Sequence, residues 1–219
     1  MIEAIVFDLD GTLADTMPMI IECYKEVFKQ YLGRAYSKAE IIAILSVAGR
    51  PERTIIRERV PEEKVEEAVD LFRRLYVQRL RAEASLYPGV MRLLSRLSSS
   101  GRQVALVTGK SRWSTEFTLE ELGVRSYFRA LITGEDVEEP KPSPQGVLRA
   151  VQALKSDASK TLYVGDAPID IEAGRAAGVL TGAALWGTVL REKLLKMKPD
   201  FAFETVRDLE KIVVKSSDP

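Results

Sequence analysis

Histidine and asparagine are both absent from the 219-residue chain, and cysteine occurs once, at Cys23. Each absence removes a class of chemistry. Without histidine there is no Ser-His-Asp or Cys-His triad, and most zinc sites lose their usual ligand. A lone cysteine excludes an internal disulfide and a thiolate cluster. Cys23 falls inside an amphipathic helical pattern and reads as a small apolar core residue. No apolar run is long enough to span a bilayer. No basic n-region or small-residue cleavage site stands near Met1. A cytoplasmic protein with no membrane partner is therefore expected. An excess of one charge is also missing, since Lys+Arg and Asp+Glu both count 32. The chain thus carries no electrostatic footprint for nucleic acid. The chemistry left open uses carboxylates, Lys, Arg, Thr or Ser, with a hard metal. The missing asparagine, beside 29% charged residues, matches the composition of thermophile proteins.

What is present suits one domain with an insertion, or two small domains. Short apolar runs alternate with helical patterns over most of the chain. The runs are Ile2–Phe7, Gln103–Val107, Ala130–Thr133, Thr161–Val164, Thr181–Ala184 and, more weakly, Asp200–Phe203. They do not alternate polar with apolar, so they read as strands buried on both faces. Between them Val90, Leu93, Leu94 and Leu97 form a helical stripe. This order predicts an α/β fold with a doubly wound, three-layer parallel sheet. One stretch, from about Asp15 to Glu83, shows helical periodicity only. Met17, Ile20, Ile21, Tyr24, Val27, Phe28 and Tyr31 share one face, and Val65 to Leu80 forms another stripe. Shorter helices fit Lys38–Val47 and Glu52–Val60. Four helices in a row predict an inserted helical subdomain over 15–84, with 1–14 and 85–219 as the core. The tail Lys215–Pro219 is expected to fray.

Four clusters carry candidate chemistry. The first is Asp8-Leu9-Asp10-Gly11-Thr12, where a fully apolar strand ends on two carboxylates and a glycine. Two close carboxylates repel unless a cation sits between them, and Mg²⁺ is the usual partner where phosphate is handled. Alone, this stretch fits an ordinary turn equally well. The second cluster is Thr108-Gly109-Lys110, the third Lys141 between two prolines, the fourth Gly165-Asp166 with Asp170. Each stands at or beyond the carboxyl end of a predicted strand. Singly, Thr108 reads as a helix cap, Lys141 as a solvated lysine and Asp170 as a helix-start carboxylate. Jointly they assemble what phosphoryl transfer needs: nucleophile, acid, metal ligands and groups for the phosphoryl oxygens.

In that order these motifs resemble the haloacid dehalogenase-like superfamily, across the whole chain. "DLDGTLADT", "YPGV", "VTGK", "KPSP" and "GDAPIDIEAGRAAG" are similar to its phosphoglycolate phosphatase-like branch, and the helical insert stands where that family carries a helical cap. The resemblance implies Asp8 as nucleophile and Asp10 as general acid and base. It implies Mg²⁺ held by Asp8, the Asp10 carbonyl and Asp166, with Asp170 as an additional or outer ligand. Thr108 and Gly109 would bind phosphoryl oxygens, and Lys141 would neutralise them. Cap closure would exclude water. In "SVAGRPERT", Arg50 is the cap candidate for the far end of a small phosphorylated substrate, against the reading of Arg50 and Arg53 as surface arginines. Lys110 is a second candidate, and Asp15 and Thr16 could serve the hinge or the substrate. A phosphatase is expected, with pyrophosphatase or phosphomutase as alternatives. A dehalogenase or a phosphonate hydrolase fits less well. From another class comes a receiver-like phosphoacceptor module, which would lack a cap. Either a monomer or a homodimer is compatible with the chain.

Overall fold

The structure, a computed structural model, describes residues 2–214, and at 46–48 the backbone alone. The expected fraying of Lys215–Pro219 lies outside the described residues. In chain order the elements are β1 (Ala4–Phe7), β2 (Ala14–Asp15), α1 (Met17–Leu32), α2 (Lys38–Ala48), α3 (Glu52–Arg57) and α4 (Val65–Glu83). There follow β3 (Ser85–Leu86), α5 (Val90–Ser99), β4 (Gln103–Val107), α6 (Arg112–Glu121), β5 (Ala130–Ile132) and α7 (Gln145–Leu154). The chain closes with β6 (Thr161–Gly165), α8 (Pro168–Ala176), β7 (Leu180–Ala184), α9 (Arg191–Lys196), β8 (Phe201–Phe203) and α10 (Val206–Val213).

Six strands form one sheet in the order β5-β4-β1-β6-β7-β8, and every pairing is parallel. The uninterrupted apolar character of β1 has a direct cause. Ile5 and Phe7 pack with Val90, Leu93, Leu94 and Leu97 of α5 and with Leu209 of α10. Ala4 and Val6 face the other way, onto Val147 and Ala150 of α7 and Ala173 of α8. Both faces of the strand are covered, so neither can be polar. The expected three-layer α/β fold is the observed one. Strand order reverses at β1, which has β4 on one side and β6 on the other. A crevice at the carboxyl ends of these strands is where such sheets bind ligands.

Strand limits differ from the apolar runs by a residue or two. Strand β1 starts at Ala4 and β5 stops at Ile132. The Thr133 hydroxyl and amide donate instead to Asp136, each at 2.7 Å. Asp200 precedes β8, and its carboxylate accepts from the Thr181 amide and hydroxyl. Helix α3 ends at Arg57 rather than Val60.

Helices α1 to α4 bury a core of their own, built on Ile20, Tyr24, Val27, Ile56, Phe72 and Tyr76. The chain enters and leaves this helical unit through a two-residue antiparallel ladder, Ala14 opposite Leu86 and Asp15 opposite Ser85. The Tyr87 amide extends it by donating to the Leu13 carbonyl at 3.0 Å. Two-residue strands have no period to read, so sequence patterning misses them. Among the described residues no helix is long and apolar enough to cross a membrane.

Candidate active site

Beyond Phe7 the backbone turns at once. Gly11 sits at φ +80°, a left-handed conformation that side chains resist, and its amide donates to the Ala14 carbonyl at 2.9 Å. A Cβ there would also lie 2.4 Å from Asp166 Oδ2. The turn therefore needs glycine twice, for its φ and for the approach of Asp166. It leaves Asp8 and Asp10 at one strand end but in different surroundings.

Asp8 is buried, and Lys141 Nζ donates to its Oδ1 at 2.8 Å. The same ammonium donates to Asp170 Oδ1 at 2.6 Å, where the Tyr163 hydroxyl also donates at 2.8 Å. The second oxygen of Asp170 accepts from the Ala167 amide at 3.0 Å. Lys141 is thus an ordered, buried cation rather than a solvated one. Burial opposes its charge, but Asp170 and Asp8 outweigh it and raise its pKa. Burial pushes the Asp8 carboxyl up to about 7, against Lys141 and with help from Asp170 and Asp10. Burial, then Asp8 and Asp170, raises Asp166 well above the usual carboxylate range.

Asp10 faces the helical unit. Its Oδ1 accepts from the Thr16 hydroxyl at 2.5 Å and from Lys110 Nζ at 3.3 Å. Lys110 in turn donates to the Tyr76 hydroxyl at 2.8 Å and lies 4.5 Å from the centre of that ring. The sequence reading sent Lys110 to the far end of a substrate. Here it joins the acid at strand β1 to a tyrosine of α4. Thr108 is buried, and its hydroxyl accepts from the Lys110 amide at 3.3 Å. Gly109 meets the helical unit directly, since a Cβ on it would lie 2.4 Å from the carbonyl carbon of Gly49. Arg50 lines the crevice, with its Nη1 paired to Glu58 Oε1. Arg53 pairs with Glu66 on the surface.

Two side chains central to this arrangement carried no sequence signal. Tyr76 reads as one more member of an apolar helical stripe. Glu52, the first residue of α3, reads as a surface helix start. Its buried carboxylate accepts from the Ser111 amide at 3.0 Å and the Ser114 hydroxyl at 2.5 Å, at the N-terminus of α6.

The acids fit a hard cation. Asp8, Asp166 and Asp170 each place a carboxylate oxygen within 4.8 Å of the others. At the acid end of the crevice four carboxylates, Asp8, Asp10, Asp166 and Asp170, meet two ammonium groups, Lys110 and Lys141, with Glu52 and Arg50 on the wall of the helical unit. Asp166 Oδ1 accepts from the Thr12 hydroxyl, at 3.5 Å. A divalent cation with oxygen ligands would complete that balance. Asp170 has both oxygens engaged already, so Asp8 and Asp166 are the more available ligands. The Asp10 carboxylate is not part of this three-acid cluster.

A profile described as haloacid dehalogenase-like hydrolase matches residues 5–184. The chain belongs to this family. It is 32% identical over 212 residues to the pyrophosphatase PpaX of Anoxybacillus flavithermus, covering 97% of each chain. It is also 32% identical to the phosphoglycolate phosphatase of Aquifex aeolicus, covering 95% of each. Among solved structures, one titled a predicted phosphoglycolate phosphatase from Haemophilus somnus superposes with a TM-score of 0.84 at 23% identity, over 96% of this chain and 97% of the other. CbbY from Rhodobacter sphaeroides, solved with phosphate, gives 0.82 at 22% identity, over 95% and 96%. Those two likenesses establish the fold, which this haloacid dehalogenase-like enzyme shares with both.

Proposed function

We propose that the chain is a Mg²⁺-dependent phosphatase that hydrolyses a small phosphorylated metabolite through an aspartyl-phosphate on Asp8. The observation that supports it most is the convergence of Asp8, Asp166 and Asp170 within 4.8 Å, with Lys141 held 2.8 Å from Asp8. In this reading residues 15–84 are the cap, and 1–14 with 85–219 the catalytic core.

Asp8 attacks phosphorus, and the bond from phosphorus to the leaving oxygen breaks. Asp10 delivers a proton to that oxygen. Water then attacks the aspartyl-phosphate, Asp10 takes its proton, and the bond to Asp8 breaks to release orthophosphate. A carboxylate is a weak nucleophile, so positioning and charge neutralisation supply most of the acceleration. Lys141 neutralises Asp8 and the phosphoryl oxygens, while Thr108 and the Gly109 amide hold those oxygens. Mg²⁺ on Asp8, Asp166 and the Asp10 carbonyl would add Lewis-acid stabilisation. Thr16 and Lys110 hold the Asp10 carboxylate in place. A receiver-like module is disfavoured by the helical unit and by a second acid set to hydrolyse the acyl phosphate.

The test is release of orthophosphate from p-nitrophenyl phosphate. Turnover should require Mg²⁺, stop with EDTA and return with added Mg²⁺. Asp8→Asn should lower it by roughly 10⁴-fold or more while the protein stays folded. Near wild-type turnover by that variant would overturn the proposal. The relatives' names make 2-phosphoglycolate and pyrophosphate the first two natural substrates to assay. Pyrophosphatase is the second reading, supported by relatives of that name from several bacteria.

A further inference from the structure

The crevice continues from the acids into the helical unit, and its character changes on the way. At the base stand Asp8, Asp10, Thr108, Lys141 and Asp166. The wall contributed by α1 to α4 is built from Ile20, Tyr24, Ile42, Leu45, Ile55 and Phe72. The cavity is about 150 Å³, the size of one that holds a benzene molecule. A phosphoryl group on Asp8 would occupy only its floor.

The charged groups of the upper wall are few and engaged elsewhere. Glu52 is an anion, bonded to Ser111 and Ser114. Arg50 is ion-paired with Glu58. Lys110, the remaining ammonium besides Lys141, is tied to Asp10 and Tyr76. A second phosphate or a carboxylate in the upper cavity would lie among aliphatic and aromatic side chains beside a buried carboxylate. Desolvating such a charge is costly without a partner. A hydrocarbon body would bury apolar surface on both sides.

We infer that the leaving group is an alcohol with an apolar body, aliphatic or aromatic, rather than the second phosphate of pyrophosphate or the carboxylate of 2-phosphoglycolate. This rests on the phosphatase reading for the chemistry, but the cavity's preference can be measured without turnover. The probes are n-alkylphosphonates from ethyl to hexyl, which keep the phosphoryl head and cannot be hydrolysed. Their dissociation constants are measured by calorimetry with Mg²⁺, next to phosphonoacetate and methylenediphosphonate as anion-tailed probes. Affinity should rise about threefold to fourfold for each methylene that enters the cavity. Hexylphosphonate should outbind both anion-tailed probes. The double variant I42S/L45S should flatten the slope. A flat series, or tighter binding of either anion-tailed probe, overturns the inference, and so does an unchanged slope in the double variant. Turnover of p-nitrophenyl phosphate, read in parallel, tests the phosphatase reading separately. Its absence alongside a rising phosphonate series would overturn the chemistry and leave the cavity's preference standing.

Discussion

Two acids two residues apart, Asp8 and Asp10, end up with different partners. Asp8 has Lys141 and an acidic cluster, whereas Asp10 has Thr16 and Lys110. Burial, helped by Asp170 and Asp10, makes Asp8 a pH-dependent liability in the metal-free protein. Its carboxyl stands at about 7, above the usual 3.8, so the folded state holds a proton that the unfolded chain releases. Stability from this group is complete below about pH 4 and is lost as pH rises through 7. Asn at position 8 carries no such proton. The stability of Asp8→Asn relative to the native protein, both metal-free, should therefore rise between pH 5 and pH 8. The limiting slope is roughly 1.4 kcal/mol per pH unit. Parallel urea titrations would measure it, and a gap that shrinks with pH would contradict the assignment. Mg²⁺ should bind more tightly as pH rises through 7, since its ligands must give up protons. Thr16 is wholly buried and donates to Asp10 at 2.5 Å. Thr16→Val should reduce kcat about tenfold with little change in KM, because a general acid acts only from the right place. Cys23 is inert by the same logic, since burial pushes its thiol up to about 12.

At the scale of elements, the helical unit is tied to the core where the active site lies. Glu52 of α3 caps α6, whose first amides have no partner within the helix. A carboxylate is also the group that a helix N-terminus favours. Tyr76 of α4 bonds to Thr118 of α6 at 2.6 Å and to Lys110. Arg81 of α4 forms a paired contact with Glu121, at the far end of α6. Helix α6 is thus held along its length by two helices of the unit. Glu52→Ala would leave the Ser111 amide without this acceptor, while the Ser114 hydroxyl keeps the Ser111 carbonyl at 3.3 Å. Buried donors left unmet cost about 1–3 kcal/mol, and the midpoint of urea unfolding should fall accordingly. The substituted protein should keep its Mg²⁺ affinity, since no ligand is touched. An unchanged midpoint would mean that the α3–α6 contact contributes nothing.

Among the described residues, four hydrophobic clusters and a dense set of surface ion pairs hold the molecule. Arg79 bridges Glu26 and Glu83, and Arg92 and Arg96 share the buried Glu210. Isolated exposed pairs contribute little at 25 °C. Networks gain with temperature because the cost of desolvating their charges falls. With no asparagine in the chain, the melting midpoint should lie above roughly 65 °C, beyond the mesophile cluster. Calorimetry at low and high salt would check both parts, and high salt should lower the midpoint by screening the pairs. A midpoint in the mesophile range would remove the thermophile reading.

The sequence by itself determined the sheet, the helical insert and which polar groups stand at the strand ends, for a common reason. A strand buried on both faces must be apolar throughout, and a helix packed on one side must repeat every three to four residues. Ligand groups at strand ends then follow from where each apolar run stops. Asp8, Thr108, Lys141 and Asp166 were legible in that way, although only the fold shows that they meet. The tertiary structure alone decided what lies above them. The two-residue ladder at Ala14–Asp15 and Ser85–Leu86 has no period. Tyr76 and Glu52 look like a stripe residue and a surface acid until α4 and α3 are laid against α6. That Lys110, a candidate substrate contact, also pairs with Asp10 and Tyr76 shows only in the fold. The apolar cavity wall depends on which faces of α1, α2, α3 and α4 converge, and periodicity places residues on a face without saying what that face meets.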